Sequence, residues 1–345
     1  MTRRIISASQ SRVAVADASD IGECRRSARR LAEGYGFDEV SAGRICIIAT
    51  ELATNIVRHA GRGEVLMQVL DDGINPEFEV LAIDQGPGMR DVDDCLIDGY
   101  STGGTAGQGL GAVSRLSSTF DLFSIEGQGT VVLSRSERNH DASRQPATAQ
   151  RSALEVGAIS VAVAGEIECG DTWRVADGGS MVAILVADGL GHGPLAASAS
   201  QAAAAVFGAR PFDDPSLTMQ NCHRALGGTR GAAAACALLH VAELRLDYAG
   251  VGNIAGTVIT RDRSRGLVSH NGTLGVQLLR TQQFEYQWPL GSRVVMHSDG
   301  LSARWSVSAY PGLHLRHSAV IAGVLYRDFA RRRDDVTLVV ACQRT

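Results

Sequence analysis

The chain of 345 residues carries 33 basic residues, every one an arginine, against 37 acidic ones, a formal net charge of −4. The absence of lysine excludes Walker-type NTPases and lysine-dependent protein kinases, which hold phosphate with an ammonium group, and Schiff-base enzymes, which need an amine nucleophile. A near-neutral balance gives no basic surplus for nucleic acid, and 45% hydrophobic residues suffice for about two domains.

The 39 glycines exceed the usual ~7% and point to glycine-shaped loops. Seven cysteines are scattered with no C-x-x-C pair, which reads as reduced thiols rather than a disulfide framework or zinc site. No continuous apolar run approaches the ~18 residues of a membrane span, and the first ten residues lack a signal-type core. A cytoplasmic protein without membrane association is expected. Residues 134–151 are polar and aperiodic, so the expected division is a domain over 1–135, a linker over 136–151 and a domain over 152–345. Residues 1–135 hold 13 arginines and 19 acids, net −6, whereas 152–345 hold 17 and 16, net +1.

In chain order, residues 38–60 form the first strong helix. Ile45, Ile48, Ala49, Leu52, Ala53, Ile56 and Val57 mark one buried face. Along its edge lie Glu51, Asn55 and His59 at i, i+4 and i+8. An amide oxygen such as that of Asn55 ligates Mg²⁺, and a carboxylate one turn earlier polarises a hydroxyl. His59 reads as a packing or hydrogen-bonding residue at the helix end. Residues 79–83 (E-V-L-A-I) read as a buried strand running into Asp84-Gln85-Gly86-Pro87-Gly88. Asp84 there is placed to accept a hydrogen bond from an exocyclic amine such as adenine's. A second loop, Gly103-Gly104-Thr105-Ala106-Gly107-Gln108-Gly109-Leu110-Gly111, precedes a helix over 112–116, where backbone amides and the helix dipole favour phosphate. A hairpin over 120–133 ends in Gly129-Thr130-Val131.

These elements, E-x-x-x-N-x-x-x-H, D-x-G-x-G, G-x-G-x-G and G-T-V in that order, resemble the GHKL ATPase family. E-L-A-T-N-I-V-R-H-A-G, D-Q-G-P-G-M and D-G-Y-S-T-G-G are most similar to the RsbT-like anti-sigma-factor serine kinases over about residues 11–133. The resemblance implies a Bergerat α/β sandwich that uses no Walker lysine. It implies Asn55 as Mg²⁺ ligand, Glu51 as catalytic base and Asp84 as adenine acceptor. Gly86 and Gly88 would shape the base pocket with Thr130 nearby, and Gly107, Gly109 and Gly111 would hold the phosphates of ATP.

In the second half, residues 156–163 read as a strand before a glycine turn at Gly170-Asp171. Residues 181–186 form a buried strand ending in Asp188-Gly189-Leu190-Gly191-His192-Gly193, and Pro194 opens an alanine-rich helix over 195–207. A strand over 294–297 ends at Asp299-Gly300, and Asp334-Asp335 precede a last strand over 336–340. One Asp-Gly pair is ordinarily a turn. Several carboxylates at strand ends in one domain repel each other unless cations neutralise them, as in a two-metal oxygen-ligand site for phosphoester hydrolysis.

G-D-x-W, A-D-G-L-G-H-G, G-V-G-N, N-G-T-L-G, H-S-D-G-L and R-D-D-V-T-L-V-V resemble the SpoIIE group of metal-dependent, type 2C-like serine/threonine phosphatases, in the compact RsbX-like form, over about residues 155–341. This implies a PPM-type αββα sandwich holding two Mn²⁺ or Mg²⁺ ions. Asp171, Asp188, Asp299 and Asp334 would be ligands, with Asp188 central to catalysis and Gly189 lending its carbonyl. Asp335 adjoins Asp334, and the sequence alone does not separate the two; Asp334 is taken as the expected ligand. His192 is a candidate general acid, although the wider family places a histidine directly after Asp-Gly and here Leu190 and Gly191 intervene. Arg331-Arg332-Arg333 reads as a solvated turn, and Trp173 and Asn253 read as structural.

Together the resemblances imply a two-domain α/β protein that both phosphorylates and dephosphorylates STAS-domain proteins, either anti-sigma antagonists or stressosome scaffolds. The alternative makes the first half a module that binds ATP, a partner or a sigma factor and gates the phosphatase without transferring phosphate.

Overall fold

The computed structural model describes residues 4–92, 109–138, 154–260, 263–278 and 280–343. In its first part the elements are β1 (Arg4–Ile6), β2 (Ser11–Val15), α1 (Ala18–Gly34), α2 (Glu39–Asn55), β3 (Gly63–Leu70), β4 (Glu77–Asp84), α3 (Gly109–Leu116), β5 (Thr119–Ile125) and β6 (Gly129–Glu137). Then follow β7 (Leu154–Val161), β8 (Asp171–Asp177), β9 (Met181–Gly189), α4 (Pro194–Ala209), α5 (Pro215–Ala225), β10 (Ala232–His240), β11 (Arg245–Val251) and β12 (Ala255–Ile259). The chain closes with β13 (Ser264–Leu267), β14 (Ser269–His270), β15 (Phe284–Gln287), β16 (Arg293–His297), α6 (Ser318–Phe329) and β17 (Val336–Gln343). These elements divide between an N-terminal unit, Ala8–Ala149 with Val307–Arg327, and a C-terminal unit, Met1–Ser7, Gln150–Ser306 and Asp328–Thr345.

The N-terminal unit is built on an antiparallel sheet of order β2-β3-β4-β6-β5. Asp38 starts α2 by accepting the Ser41 N–H at 2.7 Å, and its apolar stripe (Ile45, Ile48, Ala49, Leu52, Ala53) packs with α1 on one sheet face. Residues Glu39–Ala60 are long and apolar enough to cross a bilayer, but that apolar surface is the core of this unit. The helix expected to run unbroken to residue 60 changes at Asn55 into a π-helical turn, Ile56–Ala60, closed by Gly61 at φ +74°. His59 lies within this turn and is exposed.

Strand β4 is buried on both faces, which explains its near-continuous apolar run. Phe78, Val80 and Ala82 join the helical core. Leu81 faces α6, where Gly323 permits a close approach: a Cβ there would lie 2.7 Å from Val131 Cγ1 and 3.1 Å from Leu81 Cδ2. This second face also holds charges. Glu79 accepts from Gln68 Nε2 at 2.7 Å and pairs with Arg135 at 2.7 Å, while Glu64 takes Arg12 at 2.6 Å and the Tyr326 hydroxyl at 3.2 Å. The Glu79 pairing corrects the linker boundary. Strand β6 continues to Glu137 because Ser134, Arg135 and Ser136, polar as they are, are buried partners within the sheet.

The C-terminal unit stacks a seven-stranded sheet, β1-β8-β9-β10-β11-β14 with β15 also on β11, and a five-stranded sheet, β13-β12-β16-β17-β7. Helices α4 and α5 cover the larger sheet with alanine-rich, closely packed surfaces. Two segments cross the division expected from the sequence. Residues 4–6 pair with β8, and residues 307–327 pack with the N-terminal unit. Three residues are too few to show a strand period. Helix α6 is buried from Ser318 to Arg327, and an all-round apolar helix does not reveal which sheet it serves.

Candidate functional sites

In the N-terminal unit, α2 places Glu51 and Asn55 one turn apart, and α3 begins against them. A Cβ on Gly109 would lie 3.3 Å from Asn55 Oδ1 and 3.6 Å from Glu51 Oε2, so the end of the second glycine loop meets the acid–amide row. Gly111 is buried within α3, whereas Gly107 lies outside the described residues.

Asp84 ends β4. Its Oδ1 accepts the Gly86 N–H at 2.8 Å and the Thr130 N–H at 3.3 Å, which leaves Oδ2 as the atom on which a ligand amine would be received. Burial raises its carboxyl above the ordinary range, and those two amides, Arg327 and His59 oppose the shift. The turn that follows is closed by contacts only glycine permits. A Cβ on Gly86 would sit 2.6 Å from Ala60 Cβ, and one on Gly88 (φ +69°) would strike the Ile125 carbonyl. Ser124 joins the turn to the hairpin, accepting the Met89 N–H at 2.8 Å and lying 2.9 Å from Thr130 Oγ1. Gly129 (φ +89°) was not singled out from the sequence, yet a Cβ there would collide with the Asp84 main chain. Its only signal was its place before Thr130.

In the C-terminal unit, neighbouring strands bring Asp171 of β8 opposite Asp188 of β9. Burial comes first in raising both carboxyls. For Asp188 the charges of Asp299 and Asp334 add to it, and the group is pushed up to about 7; Asp171 is raised well above its usual range, with Asp188 the next cause. Asp171 Oδ2 is buried without a hydrogen-bond partner. Asp299 receives Asn253 Nδ2 at 2.7 Å, which gives Asn253 an orienting contact with a site residue. Among the described residues, no three His, Cys, Asp or Glu side chains close around one point as a formed metal cage.

The structure gives Asp334 and Asp335 different environments. Asp335 is buried and binds two main-chain amides, Val163 N–H on Oδ1 at 2.7 Å and Gly170 N–H on Oδ2 at 2.6 Å. Asp334 is exposed, with Oδ1 receiving only the Asp335 N–H at 2.9 Å. Gly189 and Gly300 allow tight closure here, since Cβ atoms would strike the Ala196 and Asp335 carbonyls respectively. His192 Nδ1 lies 2.7 Å from Glu166 Oε1, a partner the sequence did not suggest. Trp173 is buried and Arg331–Arg333 are exposed, as expected.

The donors of the second site are all oxygens, one of them buried and unpartnered, and burial with neighbouring negative charge raises the carboxyls of Asp171 and Asp188. That set fits hard divalent cations such as Mg²⁺ or Mn²⁺. The first site offers an amide and a carboxylate beside a glycine-started helix, with an acceptor at a strand end, which fits a nucleotide with Mg²⁺.

Comparison with known proteins finds a separate match for each half of the chain. Residues 14–135 match the histidine kinase-like ATPase domain, and residues 178–344 match stage II sporulation protein E (SpoIIE). The serine/threonine-protein kinase RsbT of Bacillus subtilis (strain 168) is 37% identical over 123 residues, covering 36% of this chain and 92% of the kinase. A solved structure described as the bacterial stressosome, a modular system adapted to control secondary messenger signaling, is 30% identical with a TM-score of 0.52. It covers 55% of this chain and 98% of its own. The structure of RsbX with magnesium is 21% identical with a TM-score of 0.49, covering 55% of this chain and 94% of its own.

Proposed function

From the premise that the chain belongs to the histidine kinase-like ATPases, as an RsbT-like kinase domain joined to a SpoIIE, PP2C-type phosphatase domain, we propose that it both adds and removes phosphate on STAS-domain signalling proteins. The observation that carries this reading is that each unit has its own site: Glu51, Asn55 and Gly109 with Asp84 in one, four carboxylates at strand ends in the other. The setting is cytoplasmic stress-response or sigma-factor control.

In the transfer reaction ATP is the phosphoryl donor. The Asp84 carboxylate would receive the adenine amine, and the amides of Gly109 and Gly111 would hold the phosphates, the role the resemblance also gives Gly107. Glu51 takes the proton of the acceptor hydroxyl as its oxygen bonds to the γ-phosphorus and ADP leaves. Asn55 would hold Mg²⁺, which neutralises phosphate charge.

In the removal reaction Asp171, Asp188, Asp299, Asp334 and the Gly189 carbonyl would hold two Mn²⁺ or Mg²⁺ ions, which supply Lewis-acid charge and a nucleophilic water near neutral pH. Asn253 fixes the rotamer of Asp299. Asp335 clamps the main chain at Val163 and Gly170, and so sets the turn from which Asp171 projects. Two sites are required because transfer from ATP and hydrolysis bring their nucleophiles to phosphorus differently.

Phosphate release from a phosphoserine protein in Mn²⁺ tests the second site. Release that falls to background in Asp188→Ala is the expected result, and metal-dependent release that survives this substitution overturns the phosphatase assignment.

A further inference from the structure

Three large aliphatic side chains stand in solvent on the two segments that adjoin Asp171 and Asp188 in the chain: Ile167 at 99% exposure, Leu195 at 59% and Leu190 at 43%. They are carried by two loops that are tied together. His192 Nδ1 lies 2.7 Å from Glu166 Oε1. Gly193, at φ +74°, lets the Glu166 carboxylate settle over the main chain, where a Cβ would lie 2.9 Å from Oε2. Leu190 directly follows Asp188-Gly189, and its N–H donates to the Gly231 carbonyl at 3.0 Å. Arg230, an exposed residue, rests against the same loop, with Nη1 3.1 Å from where a side chain on Gly191 would begin.

The Glu166–His192 contact and two glycines at positive φ (Gly191 +91°, Gly193 +74°) thus hold this loop pair in one shape, and that shape presents aliphatic side chains outward. They add nothing to the core. Large aliphatics gathered at one mouth mark a surface that another molecule covers. Leu190 follows Asp188 by two residues at the end of β9, so a segment covering it brings its phosphate toward the carboxylates. A small phosphoester has no apolar flank to cover three such residues, whereas a protein segment does. The interior repels a phosphate dianion until cations are bound, and Arg230 sets one positive charge at the edge.

We infer that Ile167, Leu190 and Leu195, with Arg230 beside them, form the seat for a phosphorylated protein segment whose phosphoserine or phosphothreonine is flanked by apolar residues. The Glu166–His192 pair positions this seat, which accounts for the histidine of G-L-G-H-G without a proton-transfer step. The inference rests on the phosphatase reading of the same site.

Two fluorescent phosphoserine peptides of equal length and charge test it, one with Leu and Val around the phosphoserine and one with Ser and Asn. Binding to the full chain in Mn²⁺ is read by anisotropy, and turnover by phosphate release, with p-nitrophenyl phosphate as the small ester. The wild type is expected to bind the apolar peptide about tenfold more tightly, the gain from covering one or two aliphatic side chains. Ile167→Ser/Leu195→Ser removes that preference and leaves p-nitrophenyl phosphate turnover at the wild-type value. The two single variants, at exposed positions, give the same trend in smaller steps. A wild type that does not discriminate, or a double variant that still does, overturns the seat. Preference without hydrolysis of any ester leaves the seat standing and overturns the phosphatase reading instead.

Discussion

Asp84 and Asp171 are both aspartates at a strand end, both raised by burial, yet they are held in opposite ways. Asp84 has two main-chain N–H donors on one oxygen and sits in a turn completed by Gly86, Gly88 and Gly129. Asp171 faces Asp188, with one oxygen buried and unpartnered. The first site is assembled by backbone geometry and is satisfied by its own chain. The second is assembled by side-chain charge and is satisfied only when cations or protons neutralise it. On the proposed function, a nucleotide would bind the N-terminal unit without reorganising its acids, whereas cations in the C-terminal unit would contribute to stability as well as to chemistry.

The largest effect separating the two sites is chemical. Asp188→Ala is expected to lower phosphoserine hydrolysis by at least about 10³-fold, several kcal/mol of lost transition-state stabilisation, while nucleotide affinity measured with a fluorescent ATP analogue stays unchanged. A fall in both would break the comparison. Next comes the internally paired charge of the N-terminal unit. Glu79→Ala takes the 2.7 Å carboxylate from the buried Arg135 guanidinium and leaves it Glu77 at 3.6 Å, and is expected to cost about 3 kcal/mol, seen as an earlier urea midpoint for that unit. A midpoint within error of wild type would mean the pair is not what satisfies this face.

A smaller effect sharpens the contrast in cation dependence. Mn²⁺ at about 100 times its dissociation constant should stabilise the C-terminal unit by about 2.7 kcal/mol, and Asp171→Asn should abolish most of that gain in a thermal melt. The same Mn²⁺ without ATP should leave the N-terminal transition in place; equal shifts in both units would erase the distinction. The smallest effect is local. Asp38→Ala removes the N-cap of α2 and should cost about 1 kcal/mol, without altering hydrolysis.

Features carried by local spacing were legible in the sequence. The buried stripe of α2, the position of Asp84 at the end of an apolar strand, and the aspartates at the end of β9 and just past β16 follow from periodicity and from glycine next to acid. What was hidden depends on distant partners. Strand β6 reads as linker from residue 134 because its polar side chains meet Glu79 and Ser117, which no local window contains. Helix α6 reveals burial but not the face it covers, since Leu81 and Val131 lie far away in sequence. Asp334 and Asp335 are adjacent and chemically identical, and only the amides of Val163 and Gly170 distinguish them. His192 looked like chemistry because its neighbour in space, Glu166, precedes it by 26 residues.

The central claim, that one chain writes and erases phosphate, is tested most directly by a time course of label from γ-labelled ATP on a purified STAS-domain protein in Mg²⁺ and Mn²⁺. With wild type the label should rise and then fall, with Asp188→Ala it should rise and persist, and with Asn55→Ala it should never appear. No label from either wild type or Asp188→Ala, while ATP still binds, would contradict the claim and leave the N-terminal unit a nucleotide-binding gate.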